Sequence, residues 1–360
     1  MVDKDYLILL STFINFGPAR IKLLTGYFKG AKNVWSASKK DLSDVGLRKS
    51  LADNFLQHRN KLDPDLFFSN LKKKQINIVV QSGELYPANL KGLDDAPVVL
   101  YYKGILSKND VNSVAIVGAR KMTSYGREVT SKFALELAAM GIPIVSGLAF
   151  GVDVEAHRSA VSIGGRCIAV LASGVDTITP RSNEWLGRKI IEERGVILSE
   201  YPPGTVPQRN FFPYRNRIIS GIARVVIVVE GLEKSGTLHT ASHAASQGKT
   251  VFAVPGQITS PTSGAPHFLL KNGAKMATCV KDILDDMDLQ VKVDRDAVAK
   301  IMPDSEDEVK ILKFLEVEPL FLDELVRISG VDVKIISAKL TMMEMKGLVK
   351  NLGGGKYKKV

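Results

Sequence analysis

The chain has 360 residues, of which 45% are hydrophobic, a formal charge of +11 and an isoelectric point near 9.4. That length supports one large core plus one or two small domains. The basic excess favours a polyanionic partner, nucleic acid foremost. Cys167 and Cys279 are the only cysteines and form no CxxC, so neither a disulfide framework nor a zinc site is indicated. Asp3 and Asp5 make the opening residues a poor signal peptide, and no run reaches the ~20 apolar residues of a membrane span. The chain reads as soluble and cytoplasmic.

In chain order, residues 1–75 read as a small helical domain. Apolar residues recur three and four apart, as in Leu7, Leu10 and Ile14, between glycine and proline breaks. FGPARIKLL (16–24) and VGLRKSLADNF (45–55) share an apolar-Gly-x-x-basic opening into a helix. Such paired turns can present backbone amides to a phosphate; the plainer reading is a packing domain.

From 76 to 288 short β-branched runs alternate with helical stretches. INIVV, SVAIVG, PIVSG, RCIAVL, GVILSE, RVVIVVEG and KTVFAVPG are the runs; SYGREVTSKFALELAAMG and NEWLGRKIIEERG lie between them. Unbroken apolar strands joined by helix-length crossovers predict a doubly wound, mostly parallel α/β sheet. DDMDLQVKVDRDAVAKIMPDSEDE (285–308) is polar and acid-rich, and residues 289–304 within it read as a linker. Residues 305–360 read as three helices and a hairpin, a small winged helix with DVKIISAKLTMMEMKG as its recognition helix. After Glu344 come five lysines and no acid. A domain this small serves protein contacts as readily as DNA, and the sequence leaves both open.

Three segments carry the chemistry. In VAIVGARKMTSYG (114–126) the positions of a G-x-G-x-x-G loop are held by Gly118, Arg120 and Thr123. An arginine at the second position crowds a pyrophosphate against the backbone, and no acid follows ~20 residues on, which speaks against NAD or FAD. Arg120 instead suits a phosphate held further out, with the strand-to-helix turn still offering amides; the bland alternative is a surface arginine. In RNFFPYRNRIISG (209–221), Phe211, Phe212 and Tyr214 precede Arg215, Asn216 and Arg217. A helix starting near Arg217 with Asn216 as its cap fits the pattern. Aromatics interleaved with arginines suit single-stranded nucleic acid, with rings for bases and charge for the backbone. Eight basic residues stand against four acids from Arg181 to Arg224. Against this, the rings could be core and the arginines paired with Glu200 and Glu230. In VVEGLEKSGTLHTASHAASQGKT (228–250), Ser235-Gly236-Thr237 opens a helix and makes a second candidate anion site. His239 and His243 lack the glutamate of HExxH, and His243 stands where a P-loop ending in Gly248-Lys249-Thr250 needs its first glycine. No metal site, cofactor loop or catalytic triad stands out.

Taken together, these motifs resemble the DNA-processing protein A family (DprA, also called Smf). The resemblance runs through LYPANLKGLDDAPVVLYYKG (85–104), VAIVGARKMTSYG, IVSGLAFGVDVEAH (144–157), LSEYPPGTVPQRNFFPYRNRIISG (198–221) and KTVFAVPG (249–256). It implies an extended Rossmann-like domain with a SAM-like or helix-hairpin-helix-like head and a winged-helix tail. It also implies a non-enzymatic, cofactor-free protein that binds single-stranded DNA, forms homodimers through the Rossmann-like domain, protects incoming strands and loads the recombinase RecA in natural transformation. By position, Gly118, Ala119 and Arg120 correspond to the family's phosphate loop, with Arg215, Asn216 and Arg217 lining the same basic pocket. Phe150 stands where many relatives carry a cation, and SGTLHTA replaces the commoner SGSLITA. The expected DNA-contacting set is Gly118, Ala119, Arg120, Phe150, Arg181, Phe212, Arg215, Asn216, Arg217, Gly236 and Thr237, with no catalytic residue. The rival classes are a nucleotide-processing phosphoribohydrolase, whose PGGxGTxxE motif is missing, and a scaffold that meets only proteins.

Overall fold

The computed structural model describes residues 1–288, 305–346 and 348–359. The stretch 289–304, a linker by composition, lies outside the described residues. The chain divides into two compact units, one holding the N-terminal helices together with the large sheet, the other the residues from 305 onward.

Six helices open the first unit: α1 (Asp3–Ser11), α2 (Pro18–Tyr27), α3 (Ala31–Ser36), α4 (Lys39–Asp44), α5 (Lys49–Lys61) and α6 (Pro64–Lys73). Pro18 occupies the first position of α2, where its missing N–H costs nothing. Their core is aromatic. Phe13, Phe16 and Phe55 pack with ring centroids 4.8, 4.9 and 5.6 Å apart, and Trp35 meets Phe55 edge-on at 5.9 Å. This helical head is bonded to the sheet: the Ser11 hydroxyl lies 2.7 Å from that of the buried Tyr101, and Lys22 donates to the Asp94 carbonyl at 2.9 Å.

The sheet has nine strands: β1 (Asn77–Val80), β2 (Val99–Gly104), β3 (Val114–Val117), β4 (Ile144–Ser146), β5 (Cys167–Val170), β6 (Val196–Ser199), β7 (Val225–Val228), β8 (Thr250–Ala253) and β9 (Lys275–Met276). Their order is β1-β2-β6-β5-β4-β3-β7-β8-β9. β1, β2 and β6 pair antiparallel, and every other neighbour pair is parallel. Every residue of β3, β5, β6 and β7 is buried, because helices cover both faces. Such strands read as unbroken apolar runs without alternation. Each fully buried Val, Leu or Ile among them contributes about 1.5–3 kcal/mol. The helices are α7 (Ala88–Lys91), α8 (Ser124–Ala139), α9 (Val152–Ser162), α10 (Glu184–Glu192), α11 (Phe211–Ile222), α12 (Gly236–Ser246), α13 (Gly264–Lys271) and α14 (Val280–Met287). The result is an extended Rossmann-like α/β sheet. Strand order runs outward from β3 through β4, β5 and β6 on one side, and from β7 through β8 and β9 on the other. The reversal between β3 and β7 opens a crevice at the carboxyl ends of these strands, the place where doubly wound sheets bind ligands.

The second unit is a winged helix. It comprises α15 (Glu306–Val317), β10 (Leu320–Phe321), α16 (Leu322–Ser329), α17 (Val333–Met345) and the hairpin β11 (Val349–Gly353) and β12 (Lys356–Lys359). Ile311, Leu312, Leu315, Leu325, Ile336, Leu340, Met343 and Val349 form its core. β10 adds a third strand to the hairpin, in the order β10-β12-β11. A two-residue strand carries too short a pattern to be read from sequence. The outward face of α17 presents Val333, Ile335 and Met342 to solvent.

Candidate nucleic-acid interface

A cavity of about 900 Å³ occupies the crevice between β3 and β7. Its walls are the turn after β3, the first half of α11 and the segment from β7 into α12.

The β3 turn is held tightly. A Cβ on Gly118 would lie 2.7 Å from Val152 Cγ2 and 2.9 Å from the Glu230 carbonyl oxygen, so only glycine lets α9 and the β7 loop close in. The Ala119 carbonyl accepts from the Val152 N–H at 3.2 Å. Helix α8 begins only at Ser124, and its leading donor is occupied. The Thr123 N–H donates to Glu230 Oε2 at 2.9 Å, and the Thr123 and Thr262 hydroxyls donate to Oε1 at 2.5 and 3.1 Å. Glu230 is buried, and it neutralises the positive end of α8 as a bound anion would. The Thr123 amide is thus taken by an internal carboxylate, and the Thr123 hydroxyl accepts from the Gly126 N–H at 3.1 Å, so the start of α8 is closed from within. The geometry also shows Glu230 capping a helix and not pairing with an arginine. What the turn presents outward is Arg120, exposed, with its guanidinium carbon 5.0 Å from the Phe212 ring centroid. That is a cation–π contact which orients the side chain and leaves its edge donors available.

Helix α11 starts at Phe211, six residues before the start near Arg217 that the sequence suggested, so Asn216 lies inside it and caps nothing. Pro213 falls in the first turn, where backbone N–H groups have no intrahelical partner and a proline is tolerated. Arg215 and Arg217 are therefore about 200° apart around one helix and face opposite ways. Arg215 points beneath the cavity. It is buried and donates to the Gly147 carbonyl at 2.7 Å and to the Val170 carbonyl, bracing the carboxyl ends of β4 and β5. Its guanidinium fills the space that a Cβ on Gly147 would need. Burial lowers its pKa to about 10, with the neighbouring Asp153 opposing the shift, so it stays charged at neutral pH. Asp153, also buried, accepts from the Gly147 N–H at 3.1 Å. Burial pushes its carboxyl above the usual range, and Arg215 holds it back. Arg217 does not line this cavity. It pairs with Glu200 at 2.6 Å and donates to the Asp95 carbonyl at 2.5 Å, in the manner of the bland alternative.

The third wall is the N-terminus of α12. Gly236 and Thr237 line the cavity, and no side chain caps this helix. The Ser235 hydroxyl, at the capping position, is buried without a hydrogen-bond partner. The first-turn amides of α12 thus face the cavity as a positive pole.

Of the expected residues, Gly118, Ala119, Arg120, Phe212, Arg215, Asn216, Gly236 and Thr237 meet at this cavity. Phe150 and Arg181 stand outside it, Phe150 on the loop after β4 and Arg181 at the 3-10 turn that leads into α10. His239, weighed in the sequence as a metal ligand, also lines it, as do Lys121, Arg209, Asp153 and Thr262, which the expected set lacks. Lys121 adjoins Arg120, and Arg209 opens the aromatic–arginine cluster, so both were within reach of the charge pattern. The lining thus holds four cations, Arg120, Lys121, Arg209 and Arg215, against one carboxylate, Asp153. A second cavity of about 800 Å³ lies between the start of α2 and the sheet and carries the opposite bias, with Asp94, Asp95 and Glu200 beside Arg20 and Arg217. His243 opens into it and His239 into the first. Among the described residues no three His, Cys, Asp or Glu side chains converge as metal ligands, and no helix is long and apolar enough to cross a membrane.

Residues 77–288 match the profile of DNA recombination-mediator protein A, and residues 295–355 that of the DprA winged helix domain. The chain belongs to the DprA family. The protein Smf of Synechocystis is 32% identical over 397 residues, spanning 99% of both chains. The crystal structure of DprA from Streptococcus pneumoniae matches with a TM-score of 0.66 at 32% identity, covering 80% of this chain and 98% of that one. A DprA structure from Helicobacter pylori, described for its single-stranded DNA binding mode, matches with a TM-score of 0.53 at 29% identity, covering 61% of this chain and 98% of that one. In this DprA chain, VAIVGARKMTSYG and FPYRNRIISG face each other across the cavity, joined by the Arg120–Phe212 contact.

Proposed function

We propose that the protein is a non-enzymatic single-stranded DNA-binding protein of the cytoplasm, which shields incoming strands and loads RecA on them during natural transformation. The observation that carries the reading is the lining of the switch-point cavity. Exposed Arg120, Lys121 and Arg209, the Phe212 ring and the uncapped end of α12 surround one space. Cations together with an aromatic face recognise phosphates and bases without reading sequence. The DprA neighbour described for single-strand binding supports it. Asp153, the carboxylate in the lining, is engaged by the Gly147 amide and Arg215, which suits a supporting part and not general acid–base chemistry. Homodimerisation through the sheet-bearing unit belongs to the same proposal.

The test is a salt titration of labelled oligo-dT against duplex, followed by RecA displacement of a single-strand-binding protein. Sequence-tolerant, salt-steep binding of the single strand with accelerated RecA loading is expected. Equal affinity for duplex, or binding indifferent to salt, would refute the assignment of the cavity. Salt-steep binding without faster RecA loading would remove the recombinase role alone.

A further inference from the structure

Beyond the carboxyl ends of β4 and β5, two aromatic rings stand half in solvent, one on a loop and one on a helix bonded to it. Phe150, 52% exposed, lies between β4 and α9; Trp185, 51% exposed, lies in the first turn of α10. Both positions follow the carboxyl ends of adjacent parallel strands, β4 and β5, and so share the sheet edge that holds the cavity. A buried hydrogen bond links their bases. The Asn183 side-chain amide, two residues before Trp185, donates at 2.8 Å to the carbonyl of Leu148, two residues before Phe150. Leu148 is itself buried, with a left-handed φ of 54°. The Gly147 N–H donates to Asp153, and the Val154 N–H to the Ala149 carbonyl at 3.1 Å, so the loop is fixed on both sides of Leu148. On α10, Leu186, Gly187 and Ile190 turn inward while Trp185 and Arg188 turn outward. Arg181, its side chain 93% exposed, lies 3.8 Å from Glu184.

A single exposed apolar side chain is ordinary. Two large rings, on a loop and a helix start joined by that bond and flanked by Arg181 and Arg188, are a different matter: they are stacking surface with phosphate-seeking charge beside it. We infer that Phe150, Trp185, Arg181 and Arg188 form a second platform, on which bases of the same single strand stack after it leaves the cavity across the β4 and β5 loops. The inference rests on the single-strand reading of the cavity. From the β3 turn to the β5 loop is two strand spacings, roughly 10 Å, or about three nucleotides at the 3.4 Å rise of a stacked strand. Phe150 then acts as a base contact where many relatives place a cation.

Tryptophan fluorescence tests this directly, because Trp35 is the only other indole and packs in the helical head against Phe55. In the full-length Trp35→Phe protein, oligo-dT of graded length is titrated while anisotropy reports binding. Quenching of Trp185 is expected to set in about three nucleotides beyond the shortest oligomer that binds. Trp185→Ala should weaken the longer oligomers roughly 5- to 100-fold and leave the shortest unchanged, and Trp185→Phe should restore most of the loss. If long oligomers saturate the protein with Trp185 unquenched and Trp185→Ala binds them as the parent does, the platform is wrong while the cavity stands. If no oligomer binds at low salt, the cavity reading fails and the platform with it.

Discussion

Arg120→Ala is the sharpest perturbation of the cavity, and its size follows from which cations are available to a phosphate. Arg215 is turned inward to the Gly147 and Val170 carbonyls, leaving Arg120, Lys121 and Arg209 as the three cations of the lining that face solvent. Three phosphate contacts on a single strand give a slope of log K against log salt of about −2.1, and two give about −1.4. Between 50 and 200 mM salt the parent should therefore lose about 18-fold in affinity for a short oligo-dT, and the variant about 7-fold. The two lines converge as salt rises, so the deficit of the variant is largest at low salt. Phe212 keeps the Arg215 guanidinium 5.9 Å from its ring but loses the Arg120 contact that pre-positions it, which adds a salt-independent offset of at most about 1 kcal/mol. Fluorescence anisotropy at four or five salt concentrations measures both quantities. Parallel lines for parent and variant would mean that Arg120 touches no phosphate; coincident lines would mean that it touches no DNA at all.

Three further outcomes follow from the buried charges. Arg217→Met leaves Glu200 without its 2.6 Å partner in a site where burial already raises the carboxyl, and should cost about 3 kcal/mol in urea unfolding. The double variant Arg217→Met/Glu200→Gln should recover part of this, and neither should alter the salt slope for oligo-dT; a changed slope would return Arg217 to the interface. Glu230→Gln weakens three hydrogen bonds at the start of α8 and should lower stability by about 1–2 kcal/mol, so an unchanged unfolding midpoint would contradict the capping role. His157 is fully buried, and burial depresses its pKa to about 4. Between pH 6.5 and 4 the unfolded chain then binds a proton that the folded one refuses. Its contribution is complete above pH 6.5 and is lost as pH falls through that window, by roughly 3 kcal/mol at the lower end. His157→Leu should flatten that part of the stability–pH curve, and an identical curve would show that other groups set the acid limit.

How much of this molecule can be read from its residues depends on how local the cause is. The parallel strands are legible because burial on both faces writes itself as runs such as VAIV and VVIV. The two motifs that meet at the cavity are legible as motifs, since charge and aromatic pattern survive without coordinates. The start of α11 is not: FFPYRN looks like a loop because Pro213 and its neighbours are ordinary loop residues, and only a first-turn position reconciles the proline with a helix. That one boundary decides whether Arg215 and Arg217 act together or apart. Glu230 is further from view, since its partner Thr123 lies 107 residues away and meets it only because β3 and β7 are neighbours in the sheet. The same adjacency sets which charges this edge of the sheet presents. With α8 capped from within by Glu230, an anion at this edge meets side-chain charge from Arg120 and backbone charge from α12. The two poles stand on opposite sides of the switch point, one beyond β3 and one beyond β7. A ligand that touches both must span the crevice, which a flexible polyanion does more readily than a dinucleotide pressed into a single glycine loop.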